Sequence, residues 1–293
     1  MKRYFAIALT LLILLACTNR GTNATSKSIT VTIPPLKGIV QEIVEEEVNI
    51  NILLPEGATP ESYSPTISQL IDIQDSDAIL STGTLSFEEV ITNEIAQHIG
   101  NKLFIINKGV AVIEGHCSHS DAHNDEHHHH GHDPHIWLSL DNLTVIAQNI
   151  GDSLLDIYPD DSVRIKTNTA KLIDKIEKTD QECRSKLTGN TFLIYHPALG
   201  YLAKDYSLKQ IALENDGKSP TPSTVINIVD IVKENGIQML LYQKEYPLDV
   251  IKPLAEILDV KPIIINPLHT DIIGEIERIV NIISSGDEGR RNN

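Results

Sequence analysis

From Asp160 to Leu187 the chain carries about 28 residues without a glycine or a proline, directly after Pro159. Acidic residues open the stretch, and Ile165, Leu172, Ile176 and Cys183 recur at helical spacing. At 1.5 Å per residue such a helix runs about 42 Å, longer than a small domain is wide, so it has to join two bodies. About 265 residues remain once an N-terminal leader is set aside, enough for two medium domains.

The flanking sequence agrees. Before the helix, strand-like alternation at Ser28–Ile33 and Val48–Leu54 frames a helical Leu36–Glu46. A helical Thr66–Asp75, a strand at Ala78–Ser81, a helix at Ser86–Ile99, a strand at Leu103–Asn107 and a helix at Asp141–Ile157 follow. After it, strands at Thr191–Tyr195, Lys209–Leu213, Met239–Tyr242 and Pro262–Ile265 alternate with helices at Ala198–Asp205, Ser223–Asn235, Leu248–Leu258 and Asp271–Ser284. Repeated β-α alternation implies parallel sheets covered by helices. The expected fold is α/β: two Rossmann-like lobes with parallel sheets, joined by one long rigid backbone helix. The expected boundaries are residues 28–158 for the first lobe, 159–188 for the linker helix, 189–286 for the second lobe and 287–293 for a tail.

At the N-terminus, Met1-Lys2-Arg3 is a basic n-region, and Tyr4–Leu15 is apolar but too short to span a bilayer. Leu14-Leu15-Ala16-Cys17 resembles a bacterial lipobox, which implies a signal over 1–16, lipid on Cys17, a polar tether over 17–27 and an exported protein in the cell envelope. Loss of Lys2 and Arg3 leaves 22 basic against 40 acidic residues, taking the formal charge from -16 to -18. Such acidity excludes nucleic acid and favours cations. Of three cysteines, Cys117 and Cys183 then remain, free to pair or to act separately.

Eight of the twelve histidines, His116, His119, His123, His127, His128, His129, His130 and His132, lie in one tract mixed with Asp121, Asp125 and Glu126. The tract lacks apolar periodicity and reads as a solvated, metal-gathering loop. His135 differs, because it follows Pro134 and precedes the β-compatible Ile136-Trp137-Leu138, at the edge of a core. His196 directly follows a strand. In open α/β sheets ligands bind beyond the carboxyl ends of strands, so His135 and His196, one per lobe, can meet in an interdomain cleft. The turn after Leu54 adds Glu61, and the last strand ends at Asn266-Pro267-Leu268. No Gly-rich phosphate loop, G-x-S-x-G elbow or H-E-x-x-H is present.

Pro55–Thr66 (P-x-G-x-x-P-x-x-Y-x-P-T), Asp133–Trp137 (D-P-H-I-W) and His196–Tyr206 (H-P-A-x-G-Y-x-A-x-D-Y), with Ser219–Ser223 and Gln243-Lys244-Glu245, together resemble the substrate-binding lipoproteins of zinc or manganese ABC importers. The similarity covers nearly the whole mature chain. It implies a non-enzymatic, monomeric receptor that hands Zn2+ to a membrane permease and its ATPase, with Mn2+ or iron as the alternative cargo. A metal-buffering or adhesin lipoprotein and an exported zinc hydrolase are the rival classes.

The resemblance also implies that His135 and His196 are ligands and that Glu61 stands where the family carries a histidine. The family's last-strand carboxylate falls on Asn266, so the fourth position is open among Asn266, Glu245 and His269 as ligands or supporting groups. Two imidazoles and one carboxylate suit zinc.

Overall fold

The computed structural model describes residues 27–45, 48–113, 132–187, 191–214 and 217–291. Cys17, the leader and all of the histidine tract except His132 lie outside the described residues, and His132 itself is exposed.

Each lobe contains a four-stranded parallel sheet, and the two sheets share one strand order. In the first lobe the strands are β1 (Ser28–Val31), β2 (Asn49–Ile52), β3 (Ala78–Ser81) and β4 (Leu103–Ile105), ordered β2-β1-β3-β4. In the second they are β5 (Thr191–Ile194), β6 (Lys209–Ala212), β7 (Met239–Gln243) and β8 (Lys261–Ile265), ordered β6-β5-β7-β8. Parallel strands need helical crossovers that cover both faces, which explains why β1 and β3 are buried almost throughout.

The first-lobe helices are α1 (Pro34–Val44), α2 (Ile67–Asp72), α3 (Ser86–Val90), α4 (Ala96–Ile99) and α5 (Leu140–Ile157). The linker is α6 (Ser162–Lys186), and the second lobe carries α7 (Gly200–Asp205), α8 (Pro222–Glu234), α9 (Leu248–Leu258) and α10 (Ile272–Arg291). Pro159–Asp161 forms a separate 3-10 turn ahead of α6, and a π segment, Ile91–Ile95, interrupts the continuous helix expected over Ser86–Ile99. α10 continues past Ser284 to Arg291, into the span expected to be a tail.

α6 has 25 residues, about 37 Å of helix. Its buried face, Ile165, Asn168, Thr169, Leu172, Ile176 and Cys183, follows the helical repeat and packs on α5, α1 and α10. Asn168 Nδ2 donates to the Ile43 carbonyl at 3.1 Å, satisfying an acceptor at the end of α1. Ile272, Ile276, Ile279 and Ile283 of α10 belong to the same apolar core as Leu36 and Ile39 of α1, so the last helix ties the second lobe back onto the first. Cys183 is a free thiol with no exposed surface, and burial above all pushes its pKa up to about 11. Its candidate partner Cys117 lies outside the described residues. Among the described residues no helix is long and apolar enough to cross a membrane.

Candidate metal centre

Loops beyond the carboxyl ends of both sheets converge on one small void lined by Thr59, Pro60, Glu61, His135, Trp137, His196, Ala198, Gln243, Glu245, Tyr246, Pro267 and Leu268. Its volume is about 20 Å³, room for one ion or water molecule and far too little for an organic substrate. A larger groove of about 740 Å³ lies between α1 and α6. That groove is lined by mixed charges, including Glu42, Lys171 and Lys175, and has no converging ligand set.

Glu61 is delivered by the turn after β2. Gly57 adopts φ +81°, a left-handed backbone that favours glycine. Tyr63 Oη folds back onto the Leu53 carbonyl at 3.2 Å, and Thr66 caps α2 by a reciprocal arrangement with Gln69. The spacing of the P-x-G-x-x-P-x-x-Y-x-P-T motif is therefore the spacing of a folded turn. Tyr63 serves that turn and packs edge-on against Phe87, away from the void's lining.

His135 sits in a tight turn. Ile136, Trp137 and Leu138 are fully buried but form no strand; Ile136 N–H bonds to the Pro134 carbonyl at 2.8 Å and Leu138 N–H to the His135 carbonyl at 3.0 Å. A three-residue apolar run reads equally as strand or core turn, and here the proline and the neighbouring lobe decide for the turn. Thr84 Oγ1 donates to the Pro134 carbonyl at 2.8 Å, while Trp137 Nε1 donates across the cleft to the Pro267 carbonyl at 2.9 Å. His196 leaves β5, and Gln243 Nε2 donates to its carbonyl at 2.7 Å.

Glu61, His135 and His196 form the one group of three or more potential ligands found among the described residues, their nearest ligand atoms all within 4.8 Å of one another. Glu61 Oε1 lies 2.8 Å from His135 Nε2 and 3.5 Å from His196 Nε2, and the two rings are 5.3 Å apart. Two carboxylates absent from the sequence-derived set stand behind the rings. Asp133 Oδ1 is 2.7 Å from His135 Nδ1, and Glu214 Oε2 is 3.2 Å from His196 Nδ1. Asp133 belongs to a quoted motif, and Glu214 sits at the carboxyl end of β6, the strand-end position that singles out His196.

Of the residues considered for a fourth position, only Glu245 lines the void. Asn266 and His269 do not: Asn266 N–H binds the Glu275 carboxylate at 2.7 Å, and exposed His269 uses Nδ1 to accept from Asp271 N–H at 3.1 Å. Pro267 and Leu268, which directly follow Asn266, line it instead.

Electrostatics couple the three residues. Burial alone would raise the Glu61 pKa, but the hydrogen bond with His135 and the charge of both His135 and His196 hold it well below the usual carboxylate range. Burial would lower both histidines; Asp133 and then Glu61 raise His135 instead, and Glu214 and then Glu61 raise His196 to about 9. Burial is the main cause raising Glu245, with the Glu61 charge adding to it.

The zinc-uptake complex component A (ZnuA) family model matches residues 29–283. The chain belongs to this family. It is 27% identical over 258 residues to the zinc-binding protein AdcA of Streptococcus pyogenes, covering 81% of this chain and 50% of that one. It is 26% identical over 287 residues to the high-affinity zinc uptake system protein ZnuA of Bacillus subtilis, covering 90% and 88%. The chain thus spans about half the length of the AdcA relatives it matches. A crystal structure of ZnuA superposes with a TM-score of 0.79 at 24% identity, over 89% of this chain and 99% of that one, a likeness of fold. The relatives carry binding and uptake names.

Proposed function

We propose that this protein is the extracytoplasmic receptor of an ABC importer, capturing Zn2+ in the interlobe cleft and passing it to a permease driven by its ATPase. The observation that carries this reading is the convergence of Glu61, His135 and His196 on a void the size of one ion. Zinc takes nitrogen and oxygen ligands tetrahedrally at about 2.0–2.1 Å, which sets neighbouring ligand atoms about 3.3–3.4 Å apart. The Glu61–His196 separation of 3.5 Å already suits that spacing; the 2.8 Å Glu61–His135 contact lengthens when an ion replaces the shared proton. His196 supports the fit further: both its ring nitrogens are buried without an aligned hydrogen bond.

Glu61, His135 and His196 are the proposed ligands, with Glu245 or a water as the fourth. Lipid on Cys17 tethers a monomeric body, organised as the lobes and linker expected above, to the envelope membrane, and the histidine tract gathers ions outside the cleft. Carboxylate in place of a third imidazole keeps manganese as the second reading, since oxygen ligands suit the harder ion. The small void speaks against a hydrolase.

The test is metal content of the purified mature protein, followed by zinc and manganese titrations of wild type and Glu61→Ala. One tight zinc per chain, weakened in the variant, is expected. Tight manganese with weak zinc would reverse the cargo, and no tight site would leave only a buffering role.

A further inference from the structure

We propose that Glu214, held by Tyr246, is a positioning residue that sets His196 to present Nε2 to the ion. The inference rests on the metal-site reading above and deepens it. Glu214 is 5% exposed, a buried carboxylate that must have a reason to be there. Its backbone N–H bonds to the Tyr195 carbonyl at 2.8 Å, which fixes it beside the residue preceding His196. Tyr246 Oη donates to Glu214 Oε2 at 2.9 Å, and the same oxygen lies 3.2 Å from His196 Nδ1. The Tyr246 ring also stacks on the His196 imidazole, with centroids 6.1 Å apart and planes 29° from parallel, and meets Tyr195 edge-on at 4.8 Å. One side chain therefore braces both the carboxylate and the ring.

The two histidines differ in how firmly they are held. His135 has aligned partners at both nitrogens, Asp133 at 2.7 Å and Glu61 at 2.8 Å. His196 has its partners nearby, yet neither nitrogen makes an aligned hydrogen bond. A neutral imidazole has one N–H and one lone pair, and the partner of the first decides where the second points. A small rotation of the His196 ring onto an ion at Nε2 turns Nδ1–H toward Glu214, converting a loose contact into a hydrogen bond. Carboxylates placed this way orient metal-bound histidines and make them better donors. His135 is thus the preset ligand of the first lobe, and His196 is the ligand set on ion arrival through Glu214.

The experiment uses the whole mature protein and the variants Glu214→Gln, Glu214→Leu and Tyr246→Phe. Zinc affinity is read by chelator competition, and the tautomer of each histidine by nitrogen-15 spectra of the zinc-loaded form. The expected result is affinity falling about 10-fold with Gln and towards 100-fold with Leu, with a smaller loss for Tyr246→Phe. His196 ring signals move in all three, and those of His135 stay in place. Affinities within twofold of wild type together with unchanged His196 signals would overturn the proposal. If Glu214→Leu does not fold, the Gln and Phe variants decide it alone. Absence of tight zinc in wild type would instead overturn the metal-site reading, and this proposal with it.

Discussion

Zinc loading at pH 7 should release more protons than two ordinary histidines can supply. An imidazole at the usual value of about 6.5 is about one quarter protonated at pH 7, so two of them would give up about half a proton per zinc. In the ion-free site the His196 pKa stands near 9, because Glu214 and Glu61 outweigh burial, and that ring is about 99% protonated at pH 7. His135 is also raised, by Asp133 and Glu61 against burial, and so contributes more than its quarter. Glu61 is held low and already ionised, and it contributes none. The expected release is between about 1.2 and 2 protons per zinc, and zinc affinity should climb by more than about tenfold per pH unit near neutrality. Calorimetric titrations at pH 7 in buffers of different ionisation enthalpy measure the number directly. A release of about half a proton or less would refute the claim that Glu61, Asp133 and Glu214 raise both rings above the ordinary imidazole value before the ion arrives.

Other expectations follow from particular contacts. Without metal, the raised histidines stabilise the fold fully below pH 6.5, and that contribution is lost as pH rises through about 9; urea unfolding of the ion-free protein at pH 6.5 and pH 9.5 should show lower stability at the higher pH. A Cβ at Gly200 would lie 2.5 Å from Asp133 Oδ2, so Gly200→Ala should push Asp133 off His135, cost about 1–3 kcal/mol and weaken zinc binding, as read by denaturation and zinc titration. Ile176→Ala, on the buried face of α6, should cost about 2–5 kcal/mol in a denaturant melt while leaving the ligand geometry and zinc stoichiometry alone. Removing residues 116–132 should lower the number of weakly bound ions counted by equilibrium dialysis and keep one tight site; loss of the tight site with His135 and His196 intact would contradict the cleft assignment.

Much of this fold is readable from periodicity because local and tertiary demands coincide. Strand β3 and helix α9 fall on the residues that alternation and helical spacing select, and α6 departs from expectation only at its ends, by two residues at the start and one at the finish. The failures lie where they part. Ile136–Leu138 has strand chemistry but is bent into a turn by Pro134 and by the Trp137 bond to Pro267 of the other lobe. The π segment at Ile91–Ile95 leaves no mark in an ordinary apolar pattern.

The sequence alone carried the alternation and the long helix and singled out Glu61, His135 and His196 as candidates, since these depend on neighbours along the chain and on the direction of parallel strands. Only the tertiary structure decided what stands around those candidates. Asp133 and Glu214 stand behind histidines 2 and 18 residues away, Glu61 meets a ring 74 residues on, and Asn266 and His269 lie outside the lining of the void. These pairings depend on how loops at the ends of different strands pack within each lobe, and the approach of Glu61 to His196 at 3.5 Å depends on how the two lobes close on each other.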